Sequence, residues 1–382
     1  MASDESSPLV ARSANGRSKK ALILKLTLGG ALLVLALWLI QDHGHSDSTP
    51  EGSFVCGVTN SSAGHIKLTN KEDDHYFYWF FESRTSPETD PLVLWLTGGP
   101  GSSSMFALLT ENGPCTIQGD LSTKLNPFSW NTTNVIWLDQ PTESWNRNAN
   151  VIWLDQPTDT GFSFGSPADT DYNETNVGEN IYWFLQEFLN KHPQYQNREL
   201  FLTGESYGGH YVPAAAHYIW KKNQENPVIN LQEQMKDDSV ECIELTRECL
   251  IPPKNETFCL LGVDCWDTKL VQPLSKANRN NYDIHFPVIM EFLNSPKVRK
   301  FLNVDKRAPA WVEENEVIRT RFIADGDWAS SYDAYAAELL NDGLRVLIYA
   351  GDADLMCNWI GNRAWTLELD WRGRDGYFTA EK

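Results

Sequence analysis

The stretch Gly204-Glu205-Ser206-Tyr207-Gly208 constrains this chain more than any other. A serine flanked by glycines at this spacing suits a cramped turn in which side chains at the flanks would collide. Five residues with three fixed positions recur by chance, so the neighbouring sequence has to support the reading. Upstream, Leu200 to Thr203 is a short apolar run suited to a buried strand. Downstream, "YVPAAAHYIWKK" carries Ala, Ile and Trp at helical spacing and ends in Lys221 and Lys222, which favour a helix C-terminus. Strand, tight turn and helix together predict a nucleophile elbow with Ser206 at its tip.

Other segments extend this pattern. "HYFYWFFES" (His75 to Ser83) is aromatic and β-prone, and "PLVLWLTGGPGSSS" (Pro91 to Ser104) is an apolar strand entering a glycine-rich turn. "NVIWLDQP" (Asn150 to Pro157) is another buried strand, and "RVLIYAGDADLMCNW" (Arg345 to Trp359) is a late strand ending in acids. Between them, Ile181, Phe184, Leu185, Phe188 and Leu189 fall on one face of a helix. Apolar strands alternating with helices predict an α/β fold with a mainly parallel central sheet flanked by helices. One stretch is nearly duplicated: "SWNTTNVIWLDQPTE" (Ser129 to Glu143) is followed by "SWNRNANVIWLDQPTD" (Ser144 to Asp159). Two copies of one strand cannot fill one slot, so the second, which leads into "TGFSFG", is expected in the sheet.

The formal charge of −19 argues against nucleic acid or anionic lipid as a partner of the main body. Residues 21–40, "ALILKLTLGGALLVLALWLI", match the length needed to cross a bilayer. Lys25, the one charge within it, lies near one end. Arg12, Arg17, Lys19 and Lys20 precede the segment, and no Lys or Arg occurs in "QDHGHSDSTPE" after it. The positive-inside rule then predicts a cytosolic tail (1–20), a transmembrane signal anchor (21–40), a linker (41–51) and a body (52–382) that is lumenal or extracellular. A cleaved signal peptide is the alternative, against the long polar lead. Sequons at Asn60, Asn131, Asn173 and Asn255 all fall on the predicted lumenal side. Cys242, Cys249, Cys259 and Cys265 crowd a polar insertion at about 230–285. Two disulfide staples are the natural reading; a zinc site is the runner-up, although no Cys-x-x-Cys pair is present.

"WLTGGPGSSS", "SWNRNANVIWLDQPTDTGFSFG", "GESYGGHYVP" and "VLIYAGDADLMCNW" resemble, in order, the signature blocks of the serine carboxypeptidases, an α/β-hydrolase family. The resemblance runs from about Gly52 to Trp371. It implies acyl-serine cleavage of peptide or protein C-termini, without cofactor or metal, at acid pH, in a vacuole- or lysosome-like compartment or outside the cell. It also assigns roles. Ser206 is the nucleophile and Asp354 the acid that orients the base, with Asp352 the alternative. The backbone N–H groups of Gly99 and Tyr207 form the oxyanion hole, where losing one donor typically costs about 10²–10³ in rate. Glu111 and Glu205 share a proton and bind the substrate carboxylate, with Gly98 and Thr97 completing the pocket. Thr97 stands where the family has asparagine, and Ser102 where relatives often have a disulfide cysteine. The pairings implied are Cys242–Cys265 and Cys249–Cys259, with Cys357 a free thiol near the site.

Two departures set further expectations. After the elbow helix "NPVINLQEQMKDDSVECIEL" passes directly into the cysteine cluster, which predicts a missing sheet strand. The family's catalytic histidine follows the acid by several tens of residues, and the 28 residues after Asp354 contain none. His210, His217, His65, His75, His192, His285, His43 and His45 read as structural or solvent-exposed. The expectation is an impaired peptidase; the alternatives are an inactive peptide-binding relative and an acyltransferase on the same scaffold.

Overall fold

The computed structural model describes residue 56 and residues 60–126, 149–225, 229–234, 249–252, 254, 256–266, 286–351, 357 and 359–380. The chain divides into Met1–Phe54 and Val55–Lys382, and every described residue belongs to the second unit.

Seven strands form one sheet. Strands β1 (Ser61–Lys67), β2 (His75–Phe81) and β3 (Leu92–Leu96) lead to helix α1 (Ser104–Thr110) and a two-stranded ribbon, β4 (Cys115–Ile117) with β5 (Thr123–Leu125). Then follow β6 (Asn150–Leu154), α2 (Glu174–Lys191), β7 (Leu200–Gly204), α3 (Gly208–Glu225) and β8 (Leu231–Gln234). Helices α4 (Glu256–Trp266), α5 (Phe286–Asn294), α6 (Pro296–Phe301), α7 (Glu316–Ala324) and α8 (Asp333–Asn341) precede β9 (Arg345–Val346). Helices α9 (Trp359–Glu368) and α10 (Arg374–Thr379) come last.

The spatial order is β1-β2-β6-β3-β7-β8-β9, antiparallel at β1/β2 and β2/β6 and parallel from β6 onward. This is the mainly parallel α/β architecture expected from the sequence.

Strand alternation builds both faces. In β2, Tyr76, Tyr78 and Phe80 enter the core shared with α2 and α3, whereas Phe77, Trp79 and Phe81 enter the core under α1, α5 and α6. All six are at most 3% exposed. Burying each such ring stabilises the fold by roughly 1.5–3 kcal/mol. The predicted stripe on α2 is buried throughout: Ile181, Phe184, Leu185, Phe188 and Leu189 all join the first of these cores. Asn173 caps that helix by accepting from the Asn176 N–H at 3.3 Å.

Of the duplicated segments, the second fills the slot as expected, since Asn150–Leu154 is β6. The first copy, at residues 134–142, lies outside the described residues. The expectation of a missing strand after the elbow helix needs correcting. Strand β8 is present, four residues long, and pairs in parallel with both β7 and β9. The Asn223 amide guides its entry, donating to Ile229 O at 2.7 Å and accepting from Ile229 N at 3.3 Å. Buried Ile229 then anchors a segment whose own side chains are mostly polar.

Among the described residues no helix is long and apolar enough to cross a membrane, and residues 21–40 lie outside them.

Candidate active site

β3 is flanked by β6, which follows it in sequence, and on its other side by β7, so the strand order reverses there. A crevice at the carboxyl ends of parallel strands opens at such a point. β3 delivers Thr97, Gly98 and Gly99 to that edge, and β7 delivers Glu205 and Ser206.

At the elbow, Ser206 adopts φ 54°, the left-handed region, at a cost of about 1–2 kcal/mol for a residue with a Cβ. The turn is tight enough to require both glycines. A Cβ on Gly204 would lie 2.7 Å from Val212 Cγ2, and one on Gly208 2.7 Å from Leu96 O. Ser206 is exposed while Tyr207, Gly208 and Gly209 behind it are buried.

The loop after β3 abuts this turn. A Cβ on Gly98 would sit 2.3 Å from Tyr207 N, so only glycine permits the approach. Gly101 N donates to Tyr211 Oη at 3.2 Å, tying the loop to α3. Ser102 N donates to Gly98 O at 3.1 Å, closing the loop on itself. Among the described residues neither Gly99 N nor Tyr207 N donates to a protein acceptor. Two backbone donors beside an exposed serine are therefore available to an incoming oxygen. Thr97 is buried, and its Oγ1 accepts from Trp95 Nε1 at 3.0 Å, so its own hydroxyl proton can be donated elsewhere.

Glu111 ends α1. Its loop is held by Asn126 Nδ2, which donates to Glu111 O at 2.7 Å and Gly113 O at 3.0 Å. Burial, then the charge of Glu205 and a hydrogen bond to its carboxyl, raises the Glu111 pKa well above the carboxylate range. Two carboxyls in contact hold one proton between them. Glu313, half-buried, joins them from the segment before α7 and was not singled out from the sequence. Tyr349 donates from Oη to Gly204 O at 2.9 Å, and its phenol is kept neutral by burial and by Glu205 and Glu111.

Beneath the elbow lies a second group that sequence reading missed. Tyr207 Oη donates to Asp327 Oδ2 at 2.6 Å, Tyr332 Oη to Asp327 Oδ1 at 2.5 Å, and Glu174 N to Asp327 Oδ1 at 3.0 Å. Neither oxygen of the fully buried Glu174 carboxyl has a hydrogen-bond partner among the described residues, and desolvation followed by the charge of Asp327 raises its pKa well above normal. Tyr207 and Asp327 are 120 residues apart, and Glu174 and Asp327 153, which leaves no local signal.

The described histidines are engaged elsewhere. His65 meets Phe162 O at 3.0 Å, His75 meets Asp73 at 2.8 Å and His217 meets Glu338 at 2.7 Å. His192 is packed against Phe188 and Phe80, and buried His210 stacks on Tyr207 at 4.2 Å between ring centres. Asp354, Asp352, His285, His43 and His45 lie outside the described residues.

Cys249 is joined to Cys259, as the resemblance implies, and Cys56 to Cys115. Cys242 lies outside the described residues, and Cys357 forms no disulfide. Among the described residues no cluster of His, Cys, Asp and Glu is arranged to hold a metal ion.

A profile of the serine carboxypeptidase family matches residues 53–144, 142–240 and 234–382. The chain belongs to the serine carboxypeptidase family. The break at 142–144 falls inside the duplicated segment. Carboxypeptidase Y of Komagataella phaffii is 32% identical over 369 residues, covering 85% of this chain and 67% of that protein. A vacuolar serine-type carboxypeptidase of Saccharomyces cerevisiae is 33% identical, covering 80% of this chain and 66% of its own length. The chain thus spans about two thirds of the length of such relatives. The crystal structure of Kex1Δp, a prohormone-processing carboxypeptidase from Saccharomyces cerevisiae, superposes with a TM-score of 0.63 at 22% identity. It covers 83% of this chain and 78% of that one, a likeness of fold.

Proposed function

We propose that this chain carries the binding and acyl-transfer half of a serine-type carboxypeptidase site. Ser206 Oγ attacks the last peptide carbonyl while Gly99 N–H and Tyr207 N–H receive the oxyanion. Breaking the C–N bond leaves an acyl-serine, which water hydrolyses. The Glu111–Glu205 pair, with Thr97 and Gly98, receives the free C-terminal carboxylate. A shared proton lets the pair donate to an anion, and that favours acid pH. The observation that carries the reading is the exposed, left-handed Ser206 beside two unengaged backbone donors.

Proton transfer is the weak step in residues 1–382. The described histidines are held by other partners, and Asp354 is assigned from its sequence position alone. A serine hydrolase without its base retains only about 10³–10⁴-fold acceleration over water. The 382 residues are therefore proposed to bind C-terminal peptides far better than they cleave them, which is also what a peptide-binding relative would do. The body is proposed to lie on the lumenal side of a membrane crossed by residues 21–40, with Asn60, which is exposed, and Asn173, at the start of α2, as glycan acceptors.

Calorimetry at pH 5 tests the site. A blocked dipeptide with a free carboxylate is expected to bind at least about tenfold more tightly than its amide, the range of a charge-assisted hydrogen bond. Fluorophosphonate should label Ser206 slowly. Equal binding of acid and amide sinks the carboxylate pocket; rapid labelling with robust turnover sinks the missing base.

A further inference from the structure

We propose that Asp327 is a positioning residue for acyl transfer: by fixing the Tyr207 side chain it holds the Tyr207 backbone N–H where the oxyanion forms. This rests on the nucleophile reading of Ser206 above and adds to it a residue that acts only through Tyr207.

The Tyr207 N–H has little room for error. A Cβ on Gly98 would lie 2.3 Å from Tyr207 N and 2.9 Å from Tyr207 Cα, so the loop after β3 already packs on this residue. Movement toward the loop is blocked, and movement away draws the N–H from that of Gly99, the other donor to the same oxygen. Backbone bonds hold the turn's carbonyls, from His210 N to Tyr207 O at 2.9 Å and from Gly209 N to Ser206 O at 2.8 Å. Both are internal to the turn and α3, so neither ties Tyr207 to another element. The side chain does.

One segment grips it. Asp327 Oδ2 accepts from Tyr207 Oη at 2.6 Å, and the Trp328 ring stacks on the Tyr207 ring at 5.4 Å between centres. Asp327 is itself anchored: its N–H donates to Phe322 O at 3.0 Å, and its C=O accepts from Ser330 N at 2.9 Å. Gly326 before it has φ 77°, and a Cβ there would lie 3.1 Å from Cys249 Sγ and 3.5 Å from Cys259 Sγ. The turn therefore packs on the disulfide of the cysteine-rich insertion, and Lys254 Nζ, from between the two cysteines, donates to Asp325 O at 2.7 Å. A path of contacts runs from the insertion through Gly326 and Asp327 to the oxyanion donor.

The two carboxylate oxygens divide their partners. Oδ1 accepts from Tyr332 Oη and from Glu174 N, and Oδ2 accepts from Tyr207. Asp327→Asn can keep the first two with its amide oxygen, while it presents a donor, NH₂, to the Tyr207 hydroxyl. Tyr207→Phe removes the same bond from the other side.

The test follows fluorophosphonate labelling of residues 1–382 by mass spectrometry. Ser206 Oγ bonds to phosphorus, fluoride leaves, the hydroxyl proton passes to solvent, and charge grows on the phosphoryl oxygen facing Gly99 N–H and Tyr207 N–H. Outright loss of an oxyanion donor costs about 10²–10³, and a donor loosened by loss of its anchor is expected to cost about tenfold. Asp327→Asn and Tyr207→Phe should each show that loss, and the double variant no more than either. Calorimetric binding of a blocked dipeptide acid, which reads Glu111 and Glu205, should stay within about twofold in Asp327→Asn. Tyr195→Phe removes another buried tyrosine–carboxylate bond, to Glu82 Oε1 at 3.1 Å beyond the far end of α2, and should label at the parent rate. Should Asp327→Asn fail to fold, Tyr207→Phe against Tyr195→Phe decides the matter. Parent-like labelling in Tyr207→Phe or Asp327→Asn, multiplying losses in the double variant, or an equal loss in Tyr195→Phe overturns the proposal and leaves Ser206 as the nucleophile. A parent that is never labelled at Ser206 refutes the nucleophile reading and the proposal with it.

Discussion

Replacing Asp74 by asparagine should change the sign of its effect on stability between acid and alkaline pH. Asp74 is buried just before β2. Its Oδ2 accepts from Thr158 Oγ1 at 2.5 Å, while Oδ1 has no protein partner and sits 3.2 Å from where a Cβ on Gly165 would lie. Desolvation raises its pKa from 3.8 to about 8, opposed by the Thr158 bond and Lys71 and assisted by Asp171 and Asp169. A carboxyl whose pKa rises on folding contributes stability that is complete below its unfolded pKa. That contribution is lost as pH climbs through the folded value. Between pH 5 and 8 the loss approaches three pH units at about 1.4 kcal/mol each, on the order of 3–4 kcal/mol. Asp74→Asn has nearly the same shape and no charge, so it removes this slope. Urea unfolding followed by tryptophan fluorescence gives the comparison directly. At pH 5 the variant should be within about 1–2 kcal/mol of the parent, and the difference should move toward the variant by roughly 3 kcal/mol at pH 8. A variant-minus-parent difference that stays constant from pH 5 to pH 8 would refute the reasoning.

Asp327→Ala removes the acceptor of Tyr207, Tyr332 and the Glu174 N–H at once, and should destabilise by about 3–5 kcal/mol, with Asp327→Asn milder. A melting temperature unchanged in the alanine variant would contradict the assignment of Asp327 as the support of the elbow. If residues 21–40 span a membrane as proposed, protease added outside sealed microsomes should spare the body and remove only the tail before residue 21. Digestion of the body would place it on the cytosolic side.

What the sequence made legible was local or periodic. The aromatic, β-prone run "HYFYWFF" predicted β2, whose two faces are both buried, and the elbow's glycines stand where a Cβ would meet Val212 or Leu96. Strand β8 escaped detection because Leu-Gln-Glu-Gln has neither period nor apolar run; backbone pairing and the Asn223 amide place it instead. The late strand was read from Arg345 to Trp359, yet β9 is only Arg345–Val346, since a parallel edge pairing with so short a β8 can extend no further. Ser206 and Glu205 were legible as neighbours. Glu313 was not, because residues 311–315 reach the loop after β3 across more than 200 residues of chain.

The acidic composition shows the same limit. A formal charge of −19 counts every carboxyl as ionised, and from that count follow only solubility and the exclusion of anionic partners. Burial divides those carboxyls into two classes. Glu111 and Glu174 are raised well above the usual range, Asp74 to about 8 and Asp155 to about 7, each chiefly by desolvation. Asp155 nevertheless anchors the start of α1, accepting from Ser103 Oγ at 2.5 Å and from Phe162 N at 3.0 Å. By the same linkage as for Asp74, each of these groups makes the folded state bind protons that the unfolded chain would release between about pH 4 and 7. Asp74 precedes β2, Asp155 follows β6, Glu111 ends α1 and Glu174 opens α2. An acidic compartment therefore stabilises the scaffold and keeps the proton shared by Glu111 and Glu205, through one physical cause: carboxyls placed where water cannot follow.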